Sequence, residues 1–331
     1  MELSDFLSKI GAFRHFNEDL LKRLAACAWR QSFDEGAYIF RKGDSSREPF
    51  AILNGSVQLR INSDAGEFTL GVISPGFLFG EANYIDQKGR SGDAVASENC
   101  ELLLFDADRL AAVAEGDTAF EAALLWAFWH SLSQKLRRAN SQLSEFFSDR
   151  GVVAPPIDVP AIPHKSEDGL DLESRRQVFL EQRLSPMEIH FLASLSEEER
   201  FRTGEVIFRE GDQGDKMFVV LEGRVMITKN VDGAGEEALD FLERGEYFGE
   251  MALIDDEPRS ASAKAHDEGA LVLSIAREVV EGLLKIDNVA STRLLNILCG
   301  LGATRLRAVD EKMIGWYLLS QPGTDQIDRM S

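Results

Sequence analysis

The chain has 331 residues, of which 44% are apolar and 28% are charged, and this composition predicts two globular domains. The formal net charge of −20 argues against nucleic acid as the main partner, because a DNA-binding surface is normally basic. The sequence contains no apolar run of about 18 residues that would indicate a membrane helix, and the first residues do not resemble a secretion signal, so a cytoplasmic location is expected.

The N-terminal half is predicted to begin with a short helix and to continue as short strands. Asn17 is placed to cap a helix that contains Leu20, Leu21 and Leu24. Short apolar runs follow, separated by glycine-containing turns, and the last of them spans residues 101–105. Runs of this length and spacing favour the antiparallel strands of a roll or barrel.

A long amphipathic helix is predicted after these strands. Its apolar residues recur at spacings of three and four: Phe120, Leu124, Phe128, Leu132, Leu136, Ala139, Leu143 and Phe147. Such a stripe either packs on the helix's own domain or pairs with a second copy of the chain. Because the stripe is longer than a small barrel needs, the sequence favours dimerisation.

A proline-rich segment then separates the two halves. Residues 152–163 contain four prolines, which resist both helix and sheet. We predict a Pro-rich linker over residues 151–167, between a first domain at 1–150 and a second at 168–331. A strap packed along one domain is the alternative, because the segment also carries valines and isoleucines.

The second half repeats the first. Residues 36–44 resemble residues 204–212, which lie 168 residues later, and the glycines of both segments align. The Phe-Gly-Glu segment at 79–81 recurs 169 residues later, at 248–250, so the second copy has gained one residue. A period this long indicates a duplicated domain rather than a solenoid.

The inserted residue is expected in one particular turn. Residues 64–67 and 232–236 are rich in Asp, Gly and Glu and lie between the two matching blocks. Loop tips tolerate insertions, so this turn is the natural position.

The second copy has the same predicted elements. Ser185 and Pro186 mark a helix start, and short strands are predicted at 206–208, 217–221, 224–228 and 270–275. A second long helical stretch runs from Val289 to Leu319. The predicted fold class is therefore mainly β with flanking α: two antiparallel β-roll (jelly-roll-like) domains, each followed by long helices.

Residues 248–263 have a composition suited to binding an anion. Gly249 permits a close backbone approach, and residues 250–254 can form one helical turn that offers free N–H groups. Arg259 can pair its planar guanidinium with two phosphate oxygens, and Glu250 can accept hydrogen bonds from hydroxyls. On composition alone, a surface loop with a solvated Arg–Glu pair fits equally well.

The segment resembles the phosphate-binding cassette of the cyclic-nucleotide-binding domain family, the type found in the catabolite activator protein and in protein kinase A regulatory subunits. The family pattern is Phe-Gly-Glu, a small apolar stretch, then Pro-Arg-Ser/Thr/Ala-Ala, and residues 248–261 fill it without a gap. The resemblance covers nearly all of 184–320. It implies a β-roll that binds cAMP or cGMP, with Arg259 on the cyclic phosphate and Glu250 on the ribose 2′-hydroxyl. The implied ligand-binding residues are Phe248, Gly249, Glu250, Met251, Ala252, Arg259 and Ser260.

The first copy resembles the cassette less closely. It retains Gly80, Glu81, Arg90 and Ser91, which are its implied ligand-binding residues. It departs from the pattern at Asn83, Gly89 and Asp93. Glycine is costly to fix before Arg90, and the added Asp93 carboxylate is expected to compete for Arg90 or to repel phosphate. The second copy is therefore expected to be the better binder.

The resemblance also implies that the long helix at the end of each copy caps the base. A rough alignment brings Asn140 and Ser141 near the base in the first copy, and Val309 and Asp310 near it in the second. Ordinary exposed helix residues are the alternative interpretation of all four.

No catalytic, metal or cofactor motif is recognised, so a non-enzymatic protein is expected. The five histidines have no metal-ligand spacing, and no phosphate loop or nucleophile elbow occurs. Residues 175–178 lack the acceptor-like residue of a kinase inhibitory segment, and no helix-turn-helix is recognised.

The sequence predicts a cyclic-nucleotide sensor that acts through its long helices on a dimer or on another protein. A ligand-independent scaffold, or a sensor of another anion such as cyclic di-GMP, are the alternatives. Base preference, occupancy of the first copy and the partner are left open.

Overall fold

The computed structural model describes residues 3–63, 66–148, 176, 186–231, 235–286 and 288–319. The described residues form two compact units. The first contains the chain up to Ala139 and the segment from Cys299 onward, and the second contains residues 140–298. The predicted linker at 151–167 lies outside the described residues, and the boundaries of the two predicted domains remain predictions.

The first unit begins with two short helices, forms eight strands and ends in longer helices. Its elements are α1 (Leu3–Leu7), a 3-10 turn (Gly11–Phe13), α2 (Glu18–Ala26), β1 (Ala28–Phe33), β2 (Tyr38–Phe40), β3 (Phe50–Asn54), β4 (Val57–Ser63), β5 (Gly66–Ile73), β6 (Leu78–Phe79), α3 (Glu81–Asp86), β7 (Asp93–Ala96), β8 (Cys100–Phe105), α4 (Ala107–Gly116) and α5 (Thr118–Ser148). Asn17 caps α2 as predicted, because its side chain accepts a hydrogen bond from Leu20 N at 2.9 Å.

The strands of the first unit make two antiparallel sheets. One has the order β1-β8-β3-β6 and the other β2-β7-β4-β5, with four strands in each. Alternate residues point inward and form one core, in which Phe50 stacks on Phe79 with 4.9 Å between ring centroids. The predicted antiparallel β-roll is confirmed.

The second unit repeats this arrangement with longer strands. Its elements are α6 (Pro186–Leu195), β9 (Glu197–Phe201), β10 (Val206–Phe208), β11 (Lys216–Val231), β12 (Gly235–Leu242), β13 (Tyr247–Phe248), α7 (Met251–Asp255), β14 (Ser262–Ala276), α8 (Arg277–Ile286) and the first part of α9 (Asn288–Leu319). The part of α9 from Cys299 onward belongs to the first unit, and the part of α5 from residue 140 onward belongs to the second. The sheet order β10-β14-β11-β12, with β13 on β11 and β9 on β14, reproduces the pairings of the first unit.

The strands predicted at 217–221 and 224–228 are one strand, β11, instead of two. The pairing of β11 with β14 shifts register on both sides of Gly223, whose φ is +73°. This left-handed residue bends the strand without ending it, because glycine has no Cβ to clash.

The inserted residue lies in the predicted turn. In the first unit the last pair of the β4–β5 hairpin is Ser63 with Gly66, which encloses residues 64–65. In the second unit Val231 pairs with Gly235, which encloses residues 232–234.

Gly223, within β11, and Gly211, in the turn before β11, provide a matched test of the role of the glycine in this strand. Gly211→Ala is expected to cost about 1–2 kcal/mol of unfolding free energy, because φ is +86° but the added Cβ would meet no atom. Gly223→Ala is expected to cost ~4 kcal/mol or more, because the Cβ would lie 2.0 Å from Gly269 O. Urea denaturation checks both values, and equal losses would contradict this account of the bend.

The apolar stripe of α5 is covered by the chain itself. Its six members from Phe120 to Ala139 are at most 5% exposed: Phe120, Leu124, Phe128, Leu132, Leu136 and Ala139. This part of the stripe is therefore not a free dimer face, which corrects the interpretation that the sequence favoured. The side chains of Leu143 and Phe147 lie outside the described residues. None of the helices in the described ranges is both long enough and apolar enough to span a bilayer.

Candidate ligand-binding site

The cassette of the second copy begins where β13 ends. Gly249 follows Phe248 with φ +75°, and α7 begins two residues later. A Cβ at position 249 would lie 2.6 Å from Arg259 Nη1, so glycine allows the backbone and the guanidinium to approach each other. After α7 the chain passes through Asp256, at φ 56°, and returns at Arg259.

Arg259 is held inside this loop, with only 6% of its surface exposed. Its Nη1 donates to Gly249 O, and its Nη2 donates to Lys216 O at 2.6 Å. Its Cζ lies 4.2 Å from the centroid of the Phe208 ring. Burial lowers the pKa of Arg259, while nearby carboxylates led by Glu250 oppose that shift. The guanidinium is therefore fixed in position before any ligand arrives.

One donor of this guanidinium is unused. Arg259 Nε is buried and makes no hydrogen bond. A buried donor without a partner costs free energy, and an anionic oxygen is the acceptor that suits a guanidinium best. The pocket therefore has a donor ready for an anion.

The other predicted residues of the second cassette surround Arg259. Glu250 is 3% exposed, Phe248 1% and Ala252 2%, while Gly249, Met251 and Ser260 are partly exposed. The Ser260 hydroxyl lies 3.9 Å from Met251 Sδ. The structure thus brings together all seven residues implied by the resemblance.

Two cations that the sequence analysis did not single out also bind this cassette. Lys229 is 7% exposed, donates to Ser260 O at 3.1 Å and pairs with Glu210. Arg277 donates to Gly214 O at 2.9 Å and to Ala252 O at 2.8 Å. In the alignment of the two copies, Lys229 and Arg277 correspond to Ile61 and Asp108 of the first copy. A comparison of the copies could therefore have identified both cations from the sequence.

In the first copy Arg90 occupies the equivalent position, but all its nitrogens have partners. Its Nη1 donates to Gly80 O at 2.9 Å, its Nη2 to Glu48 O at 2.9 Å and its Nε to Ser46 Oγ at 3.1 Å. The side chain is fully buried, and this burial lowers its pKa to about 10.

One position of the repeat explains why Arg90 Nε has a hydrogen-bond partner and Arg259 Nε has none. Ser46 of the first copy aligns with Gly214 of the second, which has no hydroxyl to offer. A Cβ at Gly214 would lie 2.4 Å from Ala252 Cβ and 2.9 Å from Arg259 Cζ. The second copy thus packs too tightly at this point for a side chain, and Arg259 Nε is left for another acceptor.

The expected competition of Asp93 for Arg90 is not observed. Asp93 Oδ1 accepts from Lys42 N at 2.7 Å, and Oδ2 accepts from Asn62 Nδ2 at 2.7 Å. Asn83 instead contacts the arginine, since its Oδ1 lies 3.3 Å from Arg90 Nη1.

Glu81, the predicted ribose-binding residue of the first copy, is paired with a lysine of α5. Lys135 Nζ donates to both carboxylate oxygens, with 2.6 Å to Oε2. The Glu81 side chain is fully buried, and burial lowers the pKa of Lys135. Gly80 and Ser91 line a small cavity next to this pair.

Asp310 lies beside the first copy's cavity, which corrects the expectation that it caps the second copy. The segment from Cys299 onward belongs to the first unit, and Asp310 lines the cavity together with Glu81 and Lys135. Val309 belongs to the same segment and is 7% exposed.

Burial raises the pKa of Asp310 to about 7, against the opposing effects of Arg307 and Lys135. The folded protein therefore binds a proton here that the unfolded chain has released, so the contribution of Asp310 to stability is greatest below about pH 4 and falls as the pH rises towards 7. Asp310→Asn is expected to gain stability over the wild type in this window, by up to about 4 kcal/mol at about 1.4 kcal/mol per pKa unit.

Urea denaturation between pH 4 and pH 8 measures this effect, with the exposed Asp108 changed to Asn as the control. A constant difference between Asp310→Asn and wild type across that range would contradict the expected titration.

Within the described ranges, His, Cys, Asp and Glu side chains form no group of three that could hold a metal ion.

Comparison with known proteins agrees with this geometry. The profile of the cyclic nucleotide-binding domain matches residues 30–117 and 198–287, which together make just over half of the chain. The chain therefore belongs to the cyclic nucleotide-binding domain family, with two tandem copies of the domain.

Several relatives are protein kinases that depend on a cyclic nucleotide, or regulatory subunits of such kinases. Human cGMP-dependent protein kinase 2 is 24% identical over 277 residues, which are 83% of this chain and 30% of the kinase. A cAMP-dependent protein kinase regulatory subunit of Mucor circinelloides f. lusitanicus is 36% identical over 90 residues, 27% of this chain and 21% of that protein. The chain thus spans about a third or less of the length of these relatives.

Among solved structures, the regulatory domain of Toxoplasma gondii PKA with cAMP is similar at 20% identity. The match covers 89% of this chain and 94% of that one, with a TM-score of 0.33.

Proposed function

We propose that this protein is a sensor of a cyclic nucleotide, cAMP or cGMP, and that the second copy holds the principal site. In this proposal Arg259 pairs with the cyclic phosphate, and Glu250 accepts the ribose 2′-hydroxyl. Phe248, Gly249, Met251, Ala252 and Ser260 complete the cradle.

The buried, unpaired Nε of Arg259 is the observation that carries this assignment. Two other nitrogens of the same guanidinium are anchored to the backbone, so the group cannot swing away to find an internal partner. A ring phosphate would supply the missing acceptor as a charge-assisted hydrogen bond.

The neighbouring carboxylate narrows the class of ligand. Glu250 lies next to Gly249 and is 3% exposed, so it is a buried acceptor close to a buried cation. A ligand with a single phosphate and an adjacent hydroxyl can bind to both groups, whereas an inorganic anion binds only to Arg259. Membership of the cyclic nucleotide-binding domain family supports a cyclic nucleotide over other sugar phosphates.

The output is proposed to be a change in a protein contact, either in a homodimer or with another protein. The kinase relatives named above support a regulatory role. Long helices follow both barrels, and a ligand that binds one arrangement of them better than another would shift their equilibrium.

A ligand-independent role is the second candidate for the first copy. Every nitrogen of Arg90 has an internal partner, and Lys135 neutralises Glu81. A barrel whose binding groups are satisfied from within serves as a scaffold without a ligand.

Isothermal titration of the full chain with cAMP and with cGMP tests the proposal. Binding of at least one of them is expected, with one strong site per chain. No detectable heat with either nucleotide at millimolar concentration would overturn it.

A further inference from the structure

The pocket of the first copy is closed by the far end of the chain. Its cavity has a volume of about 60 Å³, and its lining includes Glu81 and Ser91 of the cassette and Lys135 of α5. Leu306 and Asp310 complete the lining. Pockets for small ligands are typically about 300–1,000 Å³, so a nucleotide does not fit until part of this lining moves.

The part that contributes Leu306 and Asp310 is the segment 299–319, the C-terminal part of α9, which is named the closing segment here. It binds the cassette through Arg307. Arg307 Nε lies 2.7 Å from Asp86 Oδ2, and Nη2 lies 3.1 Å from Asp86 Oδ1. Arg307 Nη1 donates to Gly89 O at 3.1 Å. These contacts grip the cassette at the end of α3 and at the residue before Arg90.

The ion pair between Arg307 and Asp86 is mostly buried. The side chains of Arg307 and Asp86 are 16% and 9% exposed, so solvent screens their two-pronged contact far less than a surface pair. The closing segment also packs on α5, where Cys299 Sγ lies 3.3 Å from Leu125 O, and Ala303 is fully buried. The segment thus has its own binding surface on the first unit.

We propose that the closing segment is an intramolecular latch on the first pocket, and that a cyclic nucleotide binds there only when Arg307 releases the cassette. The inference rests on the proposed function, and it makes the first copy a regulated site instead of a lost one. Because the latch and the ligand compete for the same pocket, breaking the latch strengthens binding.

The direction of the affinity change in Arg307→Ala distinguishes the latch from a purely electrostatic effect. Arg307 is close enough to Arg90 to lower its pKa, so a cation is lost near the phosphate position in Arg307→Ala. On charge alone that loss weakens binding of an anion. The latch predicts the opposite result, about tenfold tighter binding at the first site.

The experiment uses the full chain with Arg259→Ala as background, so that titration with cAMP and cGMP reports on the first site. Arg307→Ala and Asp86→Asn are each expected to tighten binding about tenfold, and the double variant is expected to gain no more than either one. Lys312→Ala removes a cation from the same segment, 140° further round the helix at about 100° per residue, and is expected to leave affinity unchanged.

Hydrogen exchange of the ligand-free protein gives a second measurement that needs no nucleotide. Arg307→Ala is expected to speed exchange in residues 81–90, whereas Lys312→Ala is not. If Arg307→Ala leaves binding at the first site unchanged or weaker and also leaves hydrogen exchange unchanged, the latch is overturned. This holds even if the second site binds normally in the wild-type protein, which retains Arg259. Faster exchange with no binding at the first site would overturn its regulated role and leave the second site untouched. If the wild-type protein, which retains Arg259, also binds no cyclic nucleotide, the proposed function itself has failed.

Discussion

Arg259→Ala is expected to weaken cyclic-nucleotide binding at the second site by at least about 100-fold. The variant removes the unpaired Nε donor and the positive charge from a buried position. Hydrogen bonds to charged groups contribute about 1.5–3 kcal/mol each, and tenfold in affinity is about 1.4 kcal/mol. Loss of the one bond from Nε therefore weakens binding about 10- to 140-fold, and loss of the buried positive charge beside the phosphate weakens it further.

Two further variants give this prediction its controls. Arg90→Ala removes the equivalent residue of the first copy and is expected to change the affinity of the strong site less than about threefold, since distant sites behave independently. Arg259→Lys keeps a cation but loses the planar fork, so an intermediate affinity is expected. Thermal melting verifies that each variant is folded. Equal losses from Arg259→Ala and Arg90→Ala would contradict the assignment of the second copy as the principal site.

Lys135→Met is expected to destabilise the first unit by about 3–5 kcal/mol. Lys135 is the partner that neutralises Glu81, whose side chain is fully buried. Removing one member of a buried ion pair leaves an uncompensated charge, and losses of this size follow. Urea denaturation at neutral pH measures the loss.

The matched control is Lys22→Met, because Lys22 pairs with Glu18 on the surface of α2 at 58% and 83% exposure. Its expected cost is about 0.5 kcal/mol or less. Adding Glu81→Gln to Lys135→Met is expected to restore most of the lost stability, since the uncompensated charge is then gone. If the double variant were as unstable as Lys135→Met alone, burial of the Glu81 charge would not be the cause.

The cassettes were predictable because their chemistry lies in a short stretch of chain. Gly249, Glu250 and Arg259 are near neighbours in sequence, and the structure brings them together as expected. The strand positions were also predictable, because a repeat with glycine turns fixes where each strand begins. The bend at Gly223 was not foreseen, since a glycine between two apolar runs predicts a break as readily as a bulge.

The contacts that distinguish the copies were not predictable in the same way. Arg307 and Asp86 are 221 residues apart, and no local pattern links two residues over that distance. The apolar periodicity of α9 predicted a helix at nearly its observed length, but periodicity does not specify which barrel the helix packs against. Asp310 was consequently expected beside the wrong copy.

The difference between Ser46 and Gly214 lay within reach of the sequence. The two positions align in the repeat, but their importance depends on the distance from each to an arginine more than 40 residues away in the chain. Only the fold shows that one position satisfies Nε and the other leaves it unpaired.

Native mass spectrometry of the purified full chain, with and without cAMP and cGMP, tests the central claim most directly. The wild type is expected to gain the mass of at least one cyclic nucleotide per chain, and Arg259→Ala is expected to lose that adduct. A wild-type protein that remains free of nucleotide at millimolar ligand, while its fold is intact by circular dichroism, would contradict the account.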